Sequence, residues 1–449
     1  MRFENAIEVD VLCATGRGEA DCDAEGGGTA CFTADGDATT AGSAVLGRDT
    51  LRNAANSGTP LARPLRVMFI QTDMRVGGAE VLTANIIRRL DRERFAPELC
   101  CLKERGELGE SLADEIPIHQ NLLTSKYDLR VWPRLTGLLR QREVDAVITV
   151  GAGDKMFWGR LAARRVGVPV ILSALHSTGW PDGVGRLNRM LTPITDAFIA
   201  VAESHGRFLA ENLRVPRSRV TVIPNGVDTR RFAPVPDVAA IRSEFGIGPT
   251  DPVVGIVAAL RPEKNHELFL DMAARVVRQI PAARFLIVGD GPGRASLEQR
   301  SHQLGIADKT LFAGSRSDIP RLLAAMDVFA LTSHIEANPV SILEAMSVGR
   351  TVVATNVGSI HEAVAEGQTG FLVTPGDAYQ FADRVTRLLN DPLRCQAMGA
   401  AARDAAIRRW SIEAMVGGYE RLIESVYAGK RSEVRGQRSE VGNQLLNTS

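Results

Sequence analysis

The chain has 449 residues, 45% of them hydrophobic and 24% charged, enough for two or three domains with their own cores. Lysine plus arginine total 53, and aspartate plus glutamate total 53. That balance speaks against a protein that holds nucleic acid through bulk positive charge.

No run of the sequence reaches the roughly 18 consecutive apolar residues of a membrane-spanning helix. Met1-Arg2-Phe3-Glu4-Asn5 lacks the apolar segment of a secretory signal. Residues 1–64 are rich in Gly, Ala, Thr and Asp and carry ten acidic residues against five Arg. Such a stretch cannot bury enough apolar surface to offset its ordering entropy and reads as a disordered extension. Cys13, Cys22 and Cys31 stand nine residues apart with no His among them, whereas zinc ligands come as closely spaced pairs. Six cysteines in a chain of this length make no disulfide scaffold, and a reducing, cytoplasmic setting fits.

Beyond Pro64 the pattern alternates strand and helix. Strands are expected at Leu65–Ile70, Pro97–Leu102, Asp145–Val150, Pro169–Leu175 and Asp196–Val201. A second series follows at Val253–Ala258, Phe285–Val288, Thr310–Ala313, Val328–Leu331 and Thr351–Ala354. Continuous apolar strands separated by helices indicate parallel sheets covered on both faces. Pro224-Asn225-Gly226 is strong chain punctuation between the series. The expected division is a first Rossmann-like domain over 65–225 and a second over 226–410. A helix over 411–427 and a disordered tail over 428–449 complete it, the tail carrying the repeat Arg431-Ser432-Glu433-Val434, Arg438-Ser439-Glu440-Val441. Ligands of such sheets bind at the carboxyl ends of the strands, here in the cleft between the domains. The stretch Leu129–Arg142 mixes Trp132 and Leu135 with four arginines. It reads first as a helix packed on the sheet, and alternatively as a peripheral contact with an anionic membrane.

Five loops carry candidate chemistry. After Val328–Leu331 comes Ser333-His334-Ile335-Glu336-Ala337-Asn338-Pro339, then a helix. Asn338 suits the N-cap and Pro339 the first helical position. Glu336 then lies on the loop and Glu344 more than one turn into the helix, flanking amides that can receive an anion. Carboxylates that accept hydroxyls beside amides that face phosphates suit a sugar nucleotide, although a surface Glu plus a helix-start Glu fits the spacing as well. Arg261 and Lys264 follow Val253–Ala258 and can neutralise a diphosphate, or form a solvated basic turn. Gly289-Asp290-Gly291-Pro292-Gly293 lacks the full dinucleotide pattern and reads as a tight turn near a nucleotide. Gly77-Gly78-Ala79-Glu80 opens a helix and allows close backbone approach to phosphates. His176 stands just after Pro169–Leu175, where a sugar hydroxyl or a purely structural role is open to it. Ser359-Ile360-His361-Glu362 fits a capping box.

Together these motifs resemble the family-four retaining glycosyltransferases of the GT-B fold, over about residues 65–427. The most specific piece is the pair Glu336 and Glu344, the family's E-x7-E. Gly77–Glu80, Ile223–Asp228, Arg261–Lys264 and Val288–Pro292 follow the same order. The resemblance implies an α/β chain of two Rossmann-like doubly wound domains facing a central cleft. It also implies transfer of a hexose from a nucleotide sugar, such as a UDP- or GDP-hexose, with no metal ion. Glu336 would face the donor sugar, the amides near Ala337, Asn338 and Pro339 would hold its hydroxyls, and Glu344 would bind ribose. Lys264 and Arg261 would meet the diphosphate, with Gly78, Gly77 and Gly289 alongside. His176 would sit against the reacting sugar and Arg316 by the base. The acceptor would be a cell-envelope glycan or lipid-linked sugar, which places the protein in the cytoplasm at the inner face of the membrane. Two positions depart from the family. Ala259 stands five residues before Lys264, where an Arg is usual, and Asn338 where relatives often carry an aromatic residue.

The rival readings are a sugar-nucleotide epimerase on the same fold and a degenerate nucleotide-sugar-binding protein, with a nicotinamide oxidoreductase suggested only by Gly289–Gly293. The sugar, the base, the acceptor and the oligomeric state are left open.

Overall fold

A computed structural model describes residues 63–125, 128–151, 154–176 and 189–446. The expectation of disorder over 1–64 falls, but for its last two residues, outside that range.

The unbroken Val, Ile and Leu runs form two parallel sheets. The first contains β1 (Leu65–Gln71), β2 (Phe95–Cys101), β3 (Ile118–His119), β4 (Ala146–Val150), β5 (Val170–Ala174), β6 (Ala197–Ala200) and β7 (Val220–Val222). Their spatial order is β3-β2-β1-β4-β5-β6-β7. The second contains β8 (Val253–Val257), β9 (Arg284–Val288), β10 (Thr310–Gly314), β11 (Val328–Leu331), β12 (Thr351–Thr355) and β13 (Gly370–Val373), ordered β10-β9-β8-β11-β12-β13. Consecutive residues such as Val67, Met68, Phe69 and Ile70 are all fully buried, so both faces of the strand are covered. That burial is why the sequence shows runs and not alternation. β3, β7 and β13 were not expected from the sequence. β3 and β7 have two and three residues, too few for a hydrophobic run to stand out, and β13 opens on Gly370, which reads as punctuation.

The helices are α1 (Gly78–Arg89), α2 (Gly106–Glu110), α3 (Val131–Gln141), α4 (Asp154–Val166) and α5 (Glu203–Glu211) with the first sheet. α6 (Val238–Glu244), α7 (His266–Gln279), α8 (Arg294–Gln303), α9 (Ile319–Ala325), α10 (Val340–Ser347), α11 (Ile360–Ala363), α12 (Ala378–Leu389) and α13 (Pro392–Arg409) go with the second. Helix α3 buries Val131, Leu135 and Leu139, which is the packed-helix reading of that stretch.

In each sheet the strand order reverses once. The reversal lies between β1 and β4 in the first sheet and between β8 and β11 in the second. Loops leaving such neighbouring strands diverge to opposite faces and leave a crevice at the carboxyl ends.

The chain finishes in α14 (Ile412–Leu446). Ile412, Met415, Val416, Tyr419, Leu422 and Ile423 lie in the core of the first sheet. Arg94 of that half pairs with Glu420 and Glu424 on the helix. The helix runs past Tyr427 to Leu446, into the stretch expected as a tail. Ala, Lys, Arg, Glu and Gln dominate 428–440, and these are good helix formers that extend a helix already nucleated by packing.

Candidate functional site

The expected site residues other than Glu344 lie on the loops that follow strands, at their carboxyl ends. Gly77 and Gly78 follow β1, His176 follows β5, Arg261 and Lys264 follow β8, and Gly289 follows β9. Arg316 follows β10, and Glu336, Ala337, Asn338 and Pro339 follow β11. β8 and β11 are the neighbours at the second sheet's reversal, so their loops meet.

There Lys264 Nζ donates to Glu336 Oε1 at 2.6 Å, and Ser333 Oγ donates to the same oxygen at 2.6 Å. Glu336 is only 7% exposed. Its charge is held by a cation and a hydroxyl, which is the condition for keeping a carboxylate out of water.

The loop carrying Glu336 is fastened from three directions. Thr332 Oγ1 donates to Lys264 O (3.1 Å), and His334 N donates to Glu263 O (2.9 Å). Thr355 Oγ1, at the end of β12, donates to Ser333 O (2.7 Å), and Ser359 Oγ donates to Ala337 O. Gly358 lies against the loop with φ +55°, and a Cβ there would sit 1.6 Å from Glu336 O. Only glycine allows this approach. The parts played by Thr355, Gly358 and Ser359 were not foreseen, because their contacts span some 22 residues of sequence and leave no local pattern.

Helix α10 starts one residue later than expected. Pro339 is its N-cap, with no side-chain capping bond. Asn338 is therefore not the cap. Its amide donates instead to Val201 O of the first half at 2.6 Å, and Asn225 Nδ2 donates to Asn338 O at 2.9 Å. Pro339 lacks an N–H and adopts an extended ψ of 114°, which displaces the start. Gly349 closes the helix with φ +81°.

Glu344 lies one turn into α10 and is only partly exposed. Loss of water around its carboxyl pushes it up to about 8, a rise that the nearby Arg231 opposes. The capping box expected at Ser359–Glu362 is not formed. Ser359 is the N-cap of α11 without a side-chain bond to it. Its hydroxyl is committed to Ala337, and Glu362 reaches the first half, accepting from Glu203 N (2.9 Å) and Ser204 N (2.7 Å). Burial alone would raise the Glu362 carboxyl, but the Ser204 and Glu203 bonds outweigh it and hold it below its usual range.

Arg261 is 64% exposed along its side chain, and among the described residues its ion-pair partner is Glu263, at 4.0 Å. His266, two residues past Lys264, is buried. Burial and then the Lys264 charge push it down to about 4, so it is neutral at pH 7. Gly289 has φ +139°, and a Cβ would stand 2.0 Å from Ala258 O. This turn is glycine because it lies flat against the end of β8. Arg316 is held in a two-pronged pair by Asp318, both contacts 2.8 Å. Gly77 is extended (φ −159°), and a Cβ on Gly78 would meet nothing within 4 Å among the described residues. No group of three or more His, Cys, Asp or Glu suited to a metal occurs among the described residues. No helix among them is long and apolar enough to cross a membrane.

Two family models match the chain. "Glycosyltransferase Family 4" covers residues 76–231 and "Glycosyl transferases group 1" covers 237–405. The Escherichia coli UDP-Gal:alpha-D-GlcNAc-diphosphoundecaprenol alpha-1,3-galactosyltransferase is 27% identical over 345 residues, spanning 73% of this chain and 88% of the relative. The Mycolicibacterium smegmatis GDP-mannose-dependent alpha-(1-6)-phosphatidylinositol monomannoside mannosyltransferase is 28% identical over 346 residues, 74% of this chain and 89% of the relative. Among solved structures, Anabaena Alr3699/HepE in complex with UDP and glucose superposes with a TM-score of 0.73 at 23% identity, covering 80% of this chain and 100% of that one. Two parallel sheets with their flanking helices are the GT-B architecture. The chain belongs to the family-four glycosyltransferases of the GT-B fold.

Proposed function

We propose that the enzyme transfers a hexosyl group from a nucleotide sugar, UDP- or GDP-linked, to a glycan or lipid-linked acceptor of the cell envelope. The anomeric configuration is retained, and cations of the chain serve in place of a metal ion. The observation that carries this reading is the Lys264–Glu336 pair at 2.6 Å, formed by loops of adjacent strands at the sheet's reversal. Support for the donor and acceptor classes comes from the E. coli and mycobacterial relatives, whose names specify a UDP- or GDP-linked donor and a lipid acceptor.

In this reading Glu336 faces the sugar and the amides of Ala337 and Asn338 hold its hydroxyls. Glu344 accepts the ribose hydroxyls, Arg316 lies by the base, and His176 lies against the reacting sugar. Gly77, Gly78 and Gly289 border the phosphates. The bond from the anomeric carbon to the phosphate oxygen breaks and its electron pair goes to that oxygen. Lys264 and Arg261 neutralise the developing charge. Arg261 takes over from the side chain absent at Ala259. The acceptor oxygen bonds to the anomeric carbon on the face the phosphate leaves, and its proton passes to the leaving phosphate oxygen. The reaction runs in the cytoplasm at the inner face of the membrane. Leu129 (71% exposed) and Trp132 (39%) beside Arg130 and Arg134 support a peripheral contact with that surface.

The test is turnover of a UDP- and GDP-hexose panel with lipid-linked and glycan acceptors, the product anomer being read by NMR with and without chelator. Glu336→Ala and Lys264→Ala should both abolish transfer. Full turnover in both variants overturns the site. An epimerised free nucleotide sugar without acceptor product makes the protein an epimerase, and tight binding without turnover makes it a degenerate binder.

A further inference from the structure

The second half of the chain touches the first through its donor-side loop. Asn338 Nδ2 donates to Val201 O (2.6 Å), and Asn225 Nδ2, on the connecting segment, donates to Asn338 O (2.9 Å). Both Asn225 and Val201 are buried. Two residues past Val201, the Glu362 carboxylate receives the amides of Glu203 and Ser204, the first residues of α5. Those amides are among the four donors that a helix leaves unpaired at its start, and a carboxylate there is favoured by the helix dipole. The two contacts act as one body. Ser359, at the start of α11, bonds to Ala337 O, and Gly358 is pressed against Glu336 O, so the Glu336–Asn338 and Gly358–Glu362 segments cannot shift separately.

We infer that Asn338 and Glu362 are positioning residues that latch the Glu336 loop to the Val201–Ser204 segment and fix Glu336 against the acceptor side for transfer. The inference rests on the glycosyltransfer reading. Neither side chain is used on the donor: Asn338 is committed to Val201 and Glu362 to α5. In that reading the nucleotide itself is met by Glu344, Arg316 and the glycine turns, none of which the two side chains touch. Breaking the latch therefore separates donor binding from transfer.

The experiment uses the full chain with the Asn338→Ala and Glu362→Gln variants. A glutamine offers one acceptor oxygen where the carboxylate offers two. The expected result is a fall in kcat of about tenfold, the weight of one such bond, with donor KM within about twofold of wild type. Asn338→Asp should be at least as impaired as Asn338→Ala, since it turns an acceptor toward the Val201 carbonyl. A variant weakened only in folding would also lower the apparent kcat at unchanged KM, but its loss would disappear at lower temperature and on normalising to the folded fraction, whereas the loss from a broken latch persists. Wild-type kcat in both variants, or a rise in donor KM without a fall in kcat, overturns the latch. A readout free of turnover is deuterium exchange at the Glu203 and Ser204 amides, which should quicken in Glu362→Gln. Unchanged exchange there also overturns the latch. Quickened exchange in a protein that transfers no sugar counts instead against the glycosyltransfer reading.

Discussion

Replacing Lys264 by alanine leaves Glu336, among the described residues, with a single side-chain partner, the Ser333 hydroxyl at 2.6 Å. Breaking a fully buried ion pair costs about 3–5 kcal/mol. Here the lysine side chain is 25% exposed, so water replaces part of what is lost and the expected destabilisation is about 1–3 kcal/mol. Glu336→Gln in the Lys264→Ala background removes the stranded charge, so the double variant should be more stable than the two single losses imply. Urea unfolding of wild type, both single variants and the double variant should give a coupling energy of about 1–2 kcal/mol. Removing the cation from the diphosphate should also lower kcat by about 10²–10³. Single effects that add to within about 0.3 kcal/mol, with kcat near wild type, would refute the claim that this pair is one unit of structure and chemistry.

Gly358→Ala forces a Cβ into Glu336 O at a φ of +55° and should cost about 2–4 kcal/mol by thermal unfolding. Gly367→Ala has a φ of +72° but open space around it, so it should lose only about 1–2 kcal/mol and keep its turnover. Glu344 holds its proton up to about 8 in the folded state, against an ordinary value of 4.5. Between those values the native state binds the extra proton, so stability falls as pH rises through the window. Glu344→Gln should flatten that slope in urea midpoints measured from pH 5 to 9, and an unchanged slope would assign it to another group.

The fold was legible where strands are buried on both faces, because burial leaves an unbroken apolar run such as Val67–Ile70 or Val328–Leu331. It was illegible at β3, β7 and β13, which are held by a neighbour's register more than by their own composition. That Lys264 and Glu336 stand at neighbouring strand ends could be read because motif and strand end coincide. The roles of Asn338, Ser359 and Glu362 could not. Local rules assign all three to helix caps, and each instead spends its polar group on a partner 22 or more residues away. A cap is a short-range preference of order 1 kcal/mol, and a tertiary partner of similar strength displaces it.

The chain passes between its two halves twice, at Val227 and at Ser411, and the passages lie side by side. Val227 N donates to Trp410 O (2.8 Å) and Ile412 N to Val227 O (3.0 Å). Two tethers bonded along their length behave as a hinge line, not as a swivel. They permit flexing about one axis and resist rotation of one half past the other. With α14 anchored in the first sheet's core, Leu65 and Ile423 belong to the same rigid body. The second sheet, with Lys264 and Glu336, is then a loop of the chain that leaves and returns at that one line.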